Sequence, residues 1–431
     1  MSGSAQLDTV PARRCARVTA TLGLGAAAAP LHALTGRPYR GMRRAFVGLG
    51  PVFVKFGQVV ASTPALFPAG VRAEFRGLLD DLPAFDAARA RQRAERALGD
   101  RLSGFDPVPV AAASLAQVHR AQVDGRPAAI KVLRPGIAAE VELDLMVLQR
   151  LAPALERTIP LTGRLRLDEV VEDFAHTLRR ELDLEAEAAE MESARGFLSH
   201  LGAEEVVVPA PLGGDREVLA TEWFDGFPID SRVALRSAGL DPAPLLQTML
   251  LRLQEMALVR RRFHGDLHAG NVLIGDDGRM AWIDWGIVSS LSAGQAVAAG
   301  RMFAGALHRD FPLVLEGLDE FGVVPARRDE LADALDRALS PRLERGLASV
   351  EVSPLVRRAL AVLFRHGVRV PRELVMLAKQ IAYFDRYART LVPTRRLLED
   401  ATEIFAYFLA SYPELSDQLY PHAAEALALD P

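Results

Sequence analysis

Cysteine and lysine are scarce in this chain. Cys15 is the single cysteine among 431 residues, so the chain cannot form an internal disulfide, and this composition fits a reducing compartment. The 51 basic residues include only three lysines, Lys55, Lys131 and Lys379, and the others are arginines. Because an ammonium group is a compact charge and a guanidinium is a planar fork, each lysine is a candidate for a site that needs the smaller cation.

A strong net charge and a membrane-spanning hydrophobic run are also lacking. The net charge of −4 gives no electrostatic reason to expect a nucleic-acid partner. The longest apolar stretch near the N-terminus, residues 18–34, is interrupted by Pro30 and His32 and is short for a helix that crosses a bilayer. We therefore expect the stretch 18–34 to form a helix that is either buried or lies on a membrane surface, within an otherwise loosely structured or flexible N-terminal segment (1–40).

Hydrophobic periodicity predicts an α+β chain with a small strand-containing part and a larger helical part. Helical patterns cover residues 41–99, 137–158 and 167–201. Strand patterns cover residues 105–132 and 217–223, and we expect residues after 242 to be helical apart from one hairpin. The predicted domains are an N-terminal segment (1–40), a helical extension (41–104), a strand-containing lobe (105–225) and a helical lobe (226–431).

The stretch FHGDLHAGNVLIGDDGRMAWIDWG, residues 263–286, gathers acidic and amide side chains around a predicted β-hairpin. Two short apolar runs in it flank a Gly-Asp-Asp-Gly turn, which is typical of two paired strands. A hairpin brings its two ends together, so the side chains of Asn271 and Asp284 should converge. Asp266 lies on the loop that leads into the same hairpin.

Oxygen ligands from Asn271 and Asp284 would suit Mg²⁺, which takes one or two protein side chains together with substrate phosphates. Asp266 could then orient or deprotonate an attacking hydroxyl, as in kinase-like phosphoryl transfer. Two other interpretations remain open on these residues alone. In the first, the polar residues only satisfy turns, as is common in loops. In the second, His264, Asp266 and His268 share one face of an extended segment and bind zinc, although no further His or Cys cluster completes such a site.

A kinase-like site also needs a cation over the nucleotide phosphates and an acidic partner for that cation. Lys131 ends a predicted strand that directly follows a hairpin with an Asp124-Gly125 turn. The next helical region offers several acids: Glu181, Asp183, Glu185, Glu187 and Glu190. A helix with so many acids is usually a solvated face, so composition does not single out one partner.

Several motifs occur in a fixed order between residues 41 and 395: Lys55-Phe-Gly-Gln58, the alanine-rich run 111–119, Glu181-Leu-Asp183 with Glu187, Asp266 with Asn271, and Asp284-Trp-Gly286. Together they resemble the UbiB/AarF family of atypical kinases. The resemblance implies a protein-kinase-like fold of two lobes, with an N-terminal helical extension over the active-site cleft, and it implies that the protein binds ATP and Mg²⁺.

The resemblance also implies a role for each residue of the site. Lys131 would contact the nucleotide phosphates and pair with Glu187. Asp266 would occupy the catalytic-loop position, while Asn271 and Asp284 would bind Mg²⁺.

On the extension, the resemblance places Lys55 and Gln58 over the cleft. Glu181 and Asp183 would face them, and Lys55 would pair with Glu181. A large protein substrate could not then reach the catalytic residues.

The alanine-rich run replaces the glycine loop of ordinary kinases. Glycines let a bare backbone approach the phosphates, whereas Ala111, Ala112 and Ala113, followed by Ser114, carry Cβ atoms and must bind nucleotide differently. Similar proteins are accordingly associated with ATP hydrolysis or small-molecule chemistry in place of protein phosphorylation. We expect a kinase or ATPase that supports isoprenoid-quinone (ubiquinone- or menaquinone-type) or related lipid metabolism.

Partners and location are expected from the same resemblance. A lipid or quinone precursor is the expected ligand besides ATP. We expect a cytoplasmic protein that contacts the inner face of the membrane peripherally.

Two residues depart from the family pattern: Ala116 stands where glycine is frequent, and Trp285 replaces the usual phenylalanine. A tryptophan at this position resembles the small-molecule phosphotransferases of the aminoglycoside and choline kinase type, and such an enzyme is the alternative function. A second alternative is a catalytically silent regulator that binds nucleotide.

Lys379 belongs to a late amphipathic pattern in which Leu377, Ile381 and Phe384 share helical spacing. We expect this helix to pack in the core, with the Lys379 stem along its edge and the ammonium group in solvent.

Overall fold

The computed structural model describes residues 3–28, 32, 37, 39–62, 69–75, 83–158, 167–325, 327–344, 352–393, 406–408 and 410–419. The chain divides into two compact units. Unit 1 comprises residues 1–189 and 210–223, and unit 2 comprises residues 190–209 and 224–431. Both units combine helices with antiparallel strands, so the α+β class predicted from the sequence is confirmed.

The helices of the described residues follow the predicted order along the chain. They are α1 (Gly3–Ala27), α2 (Arg40–Leu49), α3 (Pro51–Ser62), α4 (Ala69–Phe75), α5 (Ala87–Leu98), α6 (Ile137–Thr158), α7 (Leu167–Arg180), α8 (Leu184–His200), α9 (Arg232–Ser237), α10 (Pro242–Gln254), α11 (Ala293–His308), α12 (Phe311–Glu320), α13 (Arg328–Leu343), α14 (Val352–Arg365), α15 (Arg372–Leu391) and α16 (Pro413–Leu419). A π-helical turn, Glu255–Val259, continues α10.

The strands of the described residues are short except for one long pair. They are β1 (Leu102–Ser103), β2 (Ala111–Ala112), β3 (Ala116–Val123), β4 (Arg126–Leu133), β5 (Val206–Val207), β6 (Pro211–Gly214), β7 (Val218–Glu222), β8 (Phe227–Pro228), β9 (Arg262–His264), β10 (Val272–Ile274), β11 (Met280–Trp282) and β12 (Val288–Ser290).

Helix α1 begins earlier than expected, because residues 3–17 are helical where the sequence predicted loose structure, while the helix predicted from residue 18 onward begins with a buried Val18. Arg14 donates to both carboxylate oxygens of Asp144 on α6, at 2.6 and 2.7 Å, and to the backbone carbonyl of Leu49. The Asp144 side chain is fully buried, so this ion pair ties α1 to the rest of unit 1. Residues 29–31, 33–36 and 38 lie outside the described residues. Among the helices that are described, none combines the length and the hydropathy needed to cross a bilayer.

The sheet of unit 1 places β4 at its centre. Its order is β1–β3–β4–β7–β6, with β2 also paired to β3, and every pairing is antiparallel. Asp124 and Gly125 both have positive φ, 51° and 74°, as a two-residue hairpin turn requires, so the predicted hairpin is confirmed. Ile130 and Val132 of β4 are fully buried against α5, which leaves the alternate face of β4 to Lys131.

Unit 2 contains a four-stranded sheet in the order β5–β11–β10–β8 and a separate pair, β9 and β12. Strands β10 and β11 form the predicted hairpin, with Val272 opposite Trp282. The expectation that everything else after residue 242 is helical was wrong for β9 and β12, which pair with His264 opposite Val288. A strand of three residues is too short to show an alternation of apolar and polar side chains, and β9 and β12 are distant from each other in the sequence. The sequence pattern therefore did not reveal them.

The helices of unit 2 pack largely through leucine. Leu315 and Leu318 of α12 and Leu331 and Leu335 of α13 belong to one buried cluster. Helix α15 is different, because its buried face includes polar side chains: Gln380, Asp385 and Tyr387. Buried polar groups need hydrogen-bonding partners, so this face of α15 indicates a functional or structural network.

Candidate active site

Lys131 lies on the middle strand of the unit 1 sheet, opposite Val118 of β3 and Leu219 of β7. Its ammonium group donates to both carboxylate oxygens of Glu187, at 3.0 and 2.8 Å. The Glu187 side chain is only 3% exposed, whereas Lys131 is 22% exposed. The pairing predicted for these residues is confirmed, and the buried carboxylate fixes an ammonium group that still reaches solvent.

The acidic region before Glu187 is not one continuous helix, which corrects the predicted helix over residues 167–201. Helix α7 ends at Arg180, and α8 begins at Leu184. Asp183 accepts a hydrogen bond from the backbone N–H of Ala186, which is how an aspartate caps the start of a helix. The Asp183 carboxylate also binds Arg216 at 2.7 Å, and this contact lowers its pKa.

Because of the break between α7 and α8, two acids of the predicted site lie on different segments and bind different lysines. Glu181, in the turn, forms an ion pair with Lys55 of α3, while Glu187 lies in the first turn of α8 and contacts Lys131. Phe56, next to Lys55, packs its ring 5.2 Å from that of Phe174 on α7. The predicted Lys55–Glu181 pair is therefore confirmed. Gln58 lies on the same helix and is half-buried.

The alanine-rich loop is fixed by backbone hydrogen bonds. The N–H of Ala113 donates to the carbonyl of Ala116 at 2.8 Å, and the Ala113 carbonyl accepts from the guanidinium of Arg134 at 2.9 Å. Ala111 and Ala112 form β2. Ser114 is fully buried, and its hydroxyl finds no hydrogen-bonding partner among the described residues.

The hairpin of unit 2 brings the backbone of Asn271 next to that of residues 283 and 284, and convergence of the Asn271 and Asp284 side chains stays a prediction. The backbone N–H of Ile283 donates to the backbone carbonyl of Asn271 at 3.0 Å. Asp284 is the next residue after Ile283. The amide nitrogen of Asn271 donates to the backbone carbonyl of Asp266 at 2.9 Å. Because that bond uses the nitrogen of the amide, its oxygen is left to act as a ligand.

His264 supports the loop and is not a metal ligand. Its Nε2 lies 3.0 Å from the Ile283 carbonyl, and its Nδ1 accepts the backbone N–H of Asp266 at 3.0 Å. Burial lowers the pKa of His264, so the ring is neutral and donates through Nε2. With both nitrogens occupied, the zinc interpretation of His264, Asp266 and His268 fails, and the described part of the chain contains no group of three His, Cys, Asp or Glu side chains suited to a metal.

Trp285 packs against this histidine. The two ring centres are 4.9 Å apart, and the indole N–H donates to the Trp282 carbonyl at 2.9 Å. Trp285 is fully buried. Of these contacts, the hydrogen bond from the indole N–H is the one that a phenylalanine at this position could not make.

The carboxylate of Asp266 is bound by two side chains of α15. Lys379 Nζ lies 2.9 Å from Oδ1, and the hydroxyl of Tyr383 donates to the same oxygen at 2.7 Å. Burial alone would raise the pKa of Asp266, but Lys379, His268 and Tyr383 together lower it. Burial and the Asp266 charge raise the pKa of Tyr383, so its hydroxyl remains a donor. The expectation that Lys379 only extends into solvent was wrong.

Two further residues of α15 bind the backbone of the same loop. The N–H of Leu267 donates to the side-chain oxygen of Gln380 at 3.1 Å, and the Leu267 carbonyl accepts from the Tyr387 hydroxyl at 2.8 Å. Sequence reasoning missed these residues together with Lys379 and Tyr383. The available signal was their spacing, which places four polar side chains on one helical face.

Comparison with known proteins identifies the family. The model of the ABC1 atypical kinase-like domain matches residues 77–317, more than half of the chain. The chain belongs to this family of atypical kinases. The predicted resemblance to UbiB proteins is therefore confirmed.

Relatives of this ABC1 chain cover most of its length. An uncharacterized protein of Mycobacterium tuberculosis is 33% identical over 386 residues, which span 84% of this chain and 77% of the relative. Proteins described as probable protein kinase UbiB are 32% identical in Xanthomonas oryzae pv. oryzae (82% of this chain, 66% of the relative) and in Aeromonas hydrophila (84% and 68%).

A solved structure supports the fold assignment. A protein of Mycobacterium tuberculosis, determined as a complex with erythromycin, is 25% identical and superposes with a TM-score of 0.51, over 78% of this chain and 91% of that chain. The predicted kinase-like α+β fold, with a strand-rich N-lobe and a helical remainder, is confirmed for this ABC1 protein.

Proposed function

We propose that this protein is an atypical kinase or ATPase that binds Mg-ATP and transfers or hydrolyses the γ-phosphoryl group. The observation that carries this proposal is the contact between Lys131 and Glu187. A buried carboxylate that binds an ammonium group through both oxygens, on the middle strand of a sheet, is the arrangement with which kinases present a cation to nucleotide phosphates.

The residues of the hairpin fit a magnesium ion. Asn271 has its amide nitrogen bonded to the Asp266 carbonyl, which leaves an amide oxygen, and Asp284 adds a carboxylate. Mg²⁺ prefers such oxygen ligands and needs few of them from the protein. When bound, Mg²⁺ would neutralise charge on the phosphates that react.

Each remaining group has a defined task in this proposal. Lys131 binds phosphate oxygens, and Asp266 orients the hydroxyl or water that attacks. The Ser114 hydroxyl is buried and unpartnered among the described residues, and a phosphate oxygen would satisfy it. Such a hydroxyl fits a nucleotide-binding loop better than a loop that only connects two strands, because an unsatisfied buried polar group is destabilising.

The acceptor in this proposal is water or a small apolar molecule of the isoprenoid-quinone or lipid class, met at a membrane surface. The name UbiB of the two bacterial relatives supports the quinone class, and the complex of a similar protein with erythromycin supports a small-molecule ligand. A phosphotransferase of the aminoglycoside or choline kinase type is the weaker candidate, since the ABC1 atypical kinase-like domain matches residues 77–317.

The test is Mg²⁺-dependent ATP turnover and Mg-nucleotide affinity, measured with and without liposomes that carry quinone-precursor analogues. Asp284→Asn and Asn271→Ala should weaken Mg-nucleotide binding on the order of 10- to 100-fold. Asp277→Asn is the matched control, since Asp277 lies in the turn of the same hairpin and is 51% exposed. Unchanged Mg-ATP affinity in both site variants would refute the metal assignment.

A further inference from the structure

Two side chains of α15 converge on one oxygen of Asp266. The Lys379 ammonium and the Tyr383 hydroxyl lie 2.9 and 2.7 Å from Oδ1. We propose that Lys379 and Tyr383 are positioning residues, which hold Oδ1 so that Oδ2 is presented to the acceptor. This inference rests on the proposed function, in which Asp266 orients the attacking group.

The backbone around Asp266 is held by other residues. His264 binds the Asp266 N–H, and Asn271 binds its carbonyl. Gln380 and Tyr387 bind the N–H and carbonyl of Leu267. Every backbone polar group of these two residues therefore has a partner that is neither Lys379 nor Tyr383.

The contacts from Lys379 and Tyr383 consequently restrict the side chain alone. An aspartate side chain on a fixed backbone keeps two rotatable bonds, and a carboxylate can exchange its oxygens by rotation. Two donors on Oδ1, one of them charged, select one orientation and keep it. Such fixing matters for catalysis because a small misplacement of a catalytic group strongly lowers the rate.

The position of Lys379 separates this role from an ordinary surface ion pair. The Asp266 side chain is 19% exposed and Lys379 is 33% exposed, so the contact is largely shielded from solvent. Exposed pairs usually contribute little, whereas a shielded lysine next to a catalytic carboxylate can act on the reaction. Lys379 is also the only lysine in residues 190–431.

In the proposed step, Asp266 receives the proton of the acceptor. The acceptor oxygen forms a bond to the γ-phosphorus while the bond from that phosphorus to the leaving oxygen of ADP breaks. The proton of the acceptor passes to Oδ2 of Asp266 and then to solvent. Because the transition state of phosphoryl transfer is loose, orientation of the acceptor by Asp266 contributes more than early removal of its proton.

Steady-state kinetics of ATP turnover test this inference. Tyr383→Phe, which removes one oxygen atom, should lower kcat on the order of 10-fold, and Lys379→Met should lower it on the order of 100-fold. The KM for ATP and the Mg-nucleotide affinity should stay within about threefold of wild type, because a lost transition-state interaction appears in kcat. Lys379→Arg should recover most of the loss, since a guanidinium also binds a carboxylate.

Arg386→Met is the matched control for Lys379→Met. Arg386 lies on the same helix, is 65% exposed and faces Asp230, so its loss should leave kcat unchanged. Melting temperatures of all variants are measured in parallel. If Lys379→Met and Tyr383→Phe lose nucleotide affinity and melting temperature together with kcat, the two residues are structural and the inference is wrong.

A double-mutant cycle decides whether Lys379 acts through Asp266. Lys379→Met should have little further effect in an Asp266→Asn background, whereas an independent role would lower the rate by the same factor in both backgrounds. If the wild type turns over ATP and Asp266→Asn does so much more slowly, a normal kcat in both Lys379→Met and Tyr383→Phe overturns the positioning role and leaves the proposed function standing. Absence of Mg²⁺-dependent turnover in the wild type overturns the proposed function and this inference together.

Discussion

Each unit contains a lysine bound to a carboxylate, and the two pairs differ in which member is more tightly held. In unit 1, Glu187 is 3% exposed and uses both oxygens on Lys131, which is 22% exposed. In unit 2, one oxygen of Asp266 receives both Lys379 and Tyr383. The carboxylate of unit 1 positions a lysine, and the lysine of unit 2 positions a carboxylate. A lysine–carboxylate pair can therefore position either its lysine or its carboxylate, and the surrounding hydrogen bonds show which of the two side chains is held in place.

Arginine substitution should separate the two pairs most strongly. Lys131→Arg should lower ATP turnover on the order of 100-fold, about 3 kcal/mol of transition-state stabilisation, because a planar guanidinium does not fit a pocket built for a compact ammonium. Lys379→Arg should keep most of the activity. The measurement is kcat/KM for ATP in both variants. Equal losses at the two positions would show that the pairs do not differ in this way.

Buried histidines extend the comparison to pH. His119 of unit 1 is fully buried, stacks on Phe105 and lies 2.7 Å from both the Asp106 carbonyl and the Gln117 amide nitrogen. Burial lowers its pKa, so the folded state favours the neutral ring while the unfolded chain takes up a proton below about pH 6.5. Stability should therefore fall as the pH drops below that value, by up to about 1.4 kcal/mol per pH unit.

Thermal unfolding at pH 7.5 and pH 5.5 checks this prediction. His119→Gln should reduce the difference between the two melting temperatures, because glutamine does not titrate. The same difference in wild type and variant would mean that His119 contributes nothing to the pH dependence, and that other groups, His264 among them, account for it.

The third lysine, Lys55, tests whether an ion pair contributes to stability because it is shielded from solvent. Lys55 and Glu181 are 20% and 17% exposed, and removal of one member leaves the other without its partner. Lys55→Ala should destabilise α3 by about 1 kcal/mol and speed amide hydrogen exchange over residues 50–62, without abolishing Mg-nucleotide binding. Arg91→Ala is the control, because the Arg91–Glu95 pair is 63% and 51% exposed. Exchange over residues 50–62 that matches wild type would contradict a role for this pair.

The smallest effect is expected in the alanine loop. Ala113→Gly removes one Cβ from a loop whose backbone is bonded to Ala116 and Arg134, so the fold should persist. The backbone could then approach the phosphates more closely, and the ratio of ATP to ADP affinity should change by a few-fold, less than about 1.4 kcal/mol. Affinities for both nucleotides, measured by titration, check this. An unaltered ratio would mean that the loop does not cover the phosphates.

Local chemistry made both hairpins predictable from the sequence. Asp124-Gly125 supplies the two positive φ angles of a tight turn, and the turn between β10 and β11 is closed by the N–H of Gly278 on the Gly275 carbonyl. The pairs Lys131–Glu187 and Lys55–Glu181 were predicted only through the family resemblance, because an acid-rich helix does not reveal which acid turns inward.

The unpredicted features depend on contacts between distant residues. The break between α7 and α8 follows from the cap by Asp183 and its bond to Arg216, which helical periodicity does not encode. Lys379 and Asp266 are separated by 113 positions, so no local rule connects them. The polar residues on the otherwise apolar face of α15 were the remaining clue, since a buried Gln380 needs a partner.

The backbone at Asp284 has a consequence for how this protein can change over generations. Its φ of 61° is left-handed, a conformation that aspartate, asparagine and glycine adopt more readily than other residues. A single base change converts an aspartate codon into one for asparagine or glycine. Mutation at this position can therefore remove the charge of the proposed Mg²⁺ ligand while the hairpin folds as before. The fold thus allows a short mutational route from an enzyme to a nucleotide-binding scaffold that has lost its chemistry.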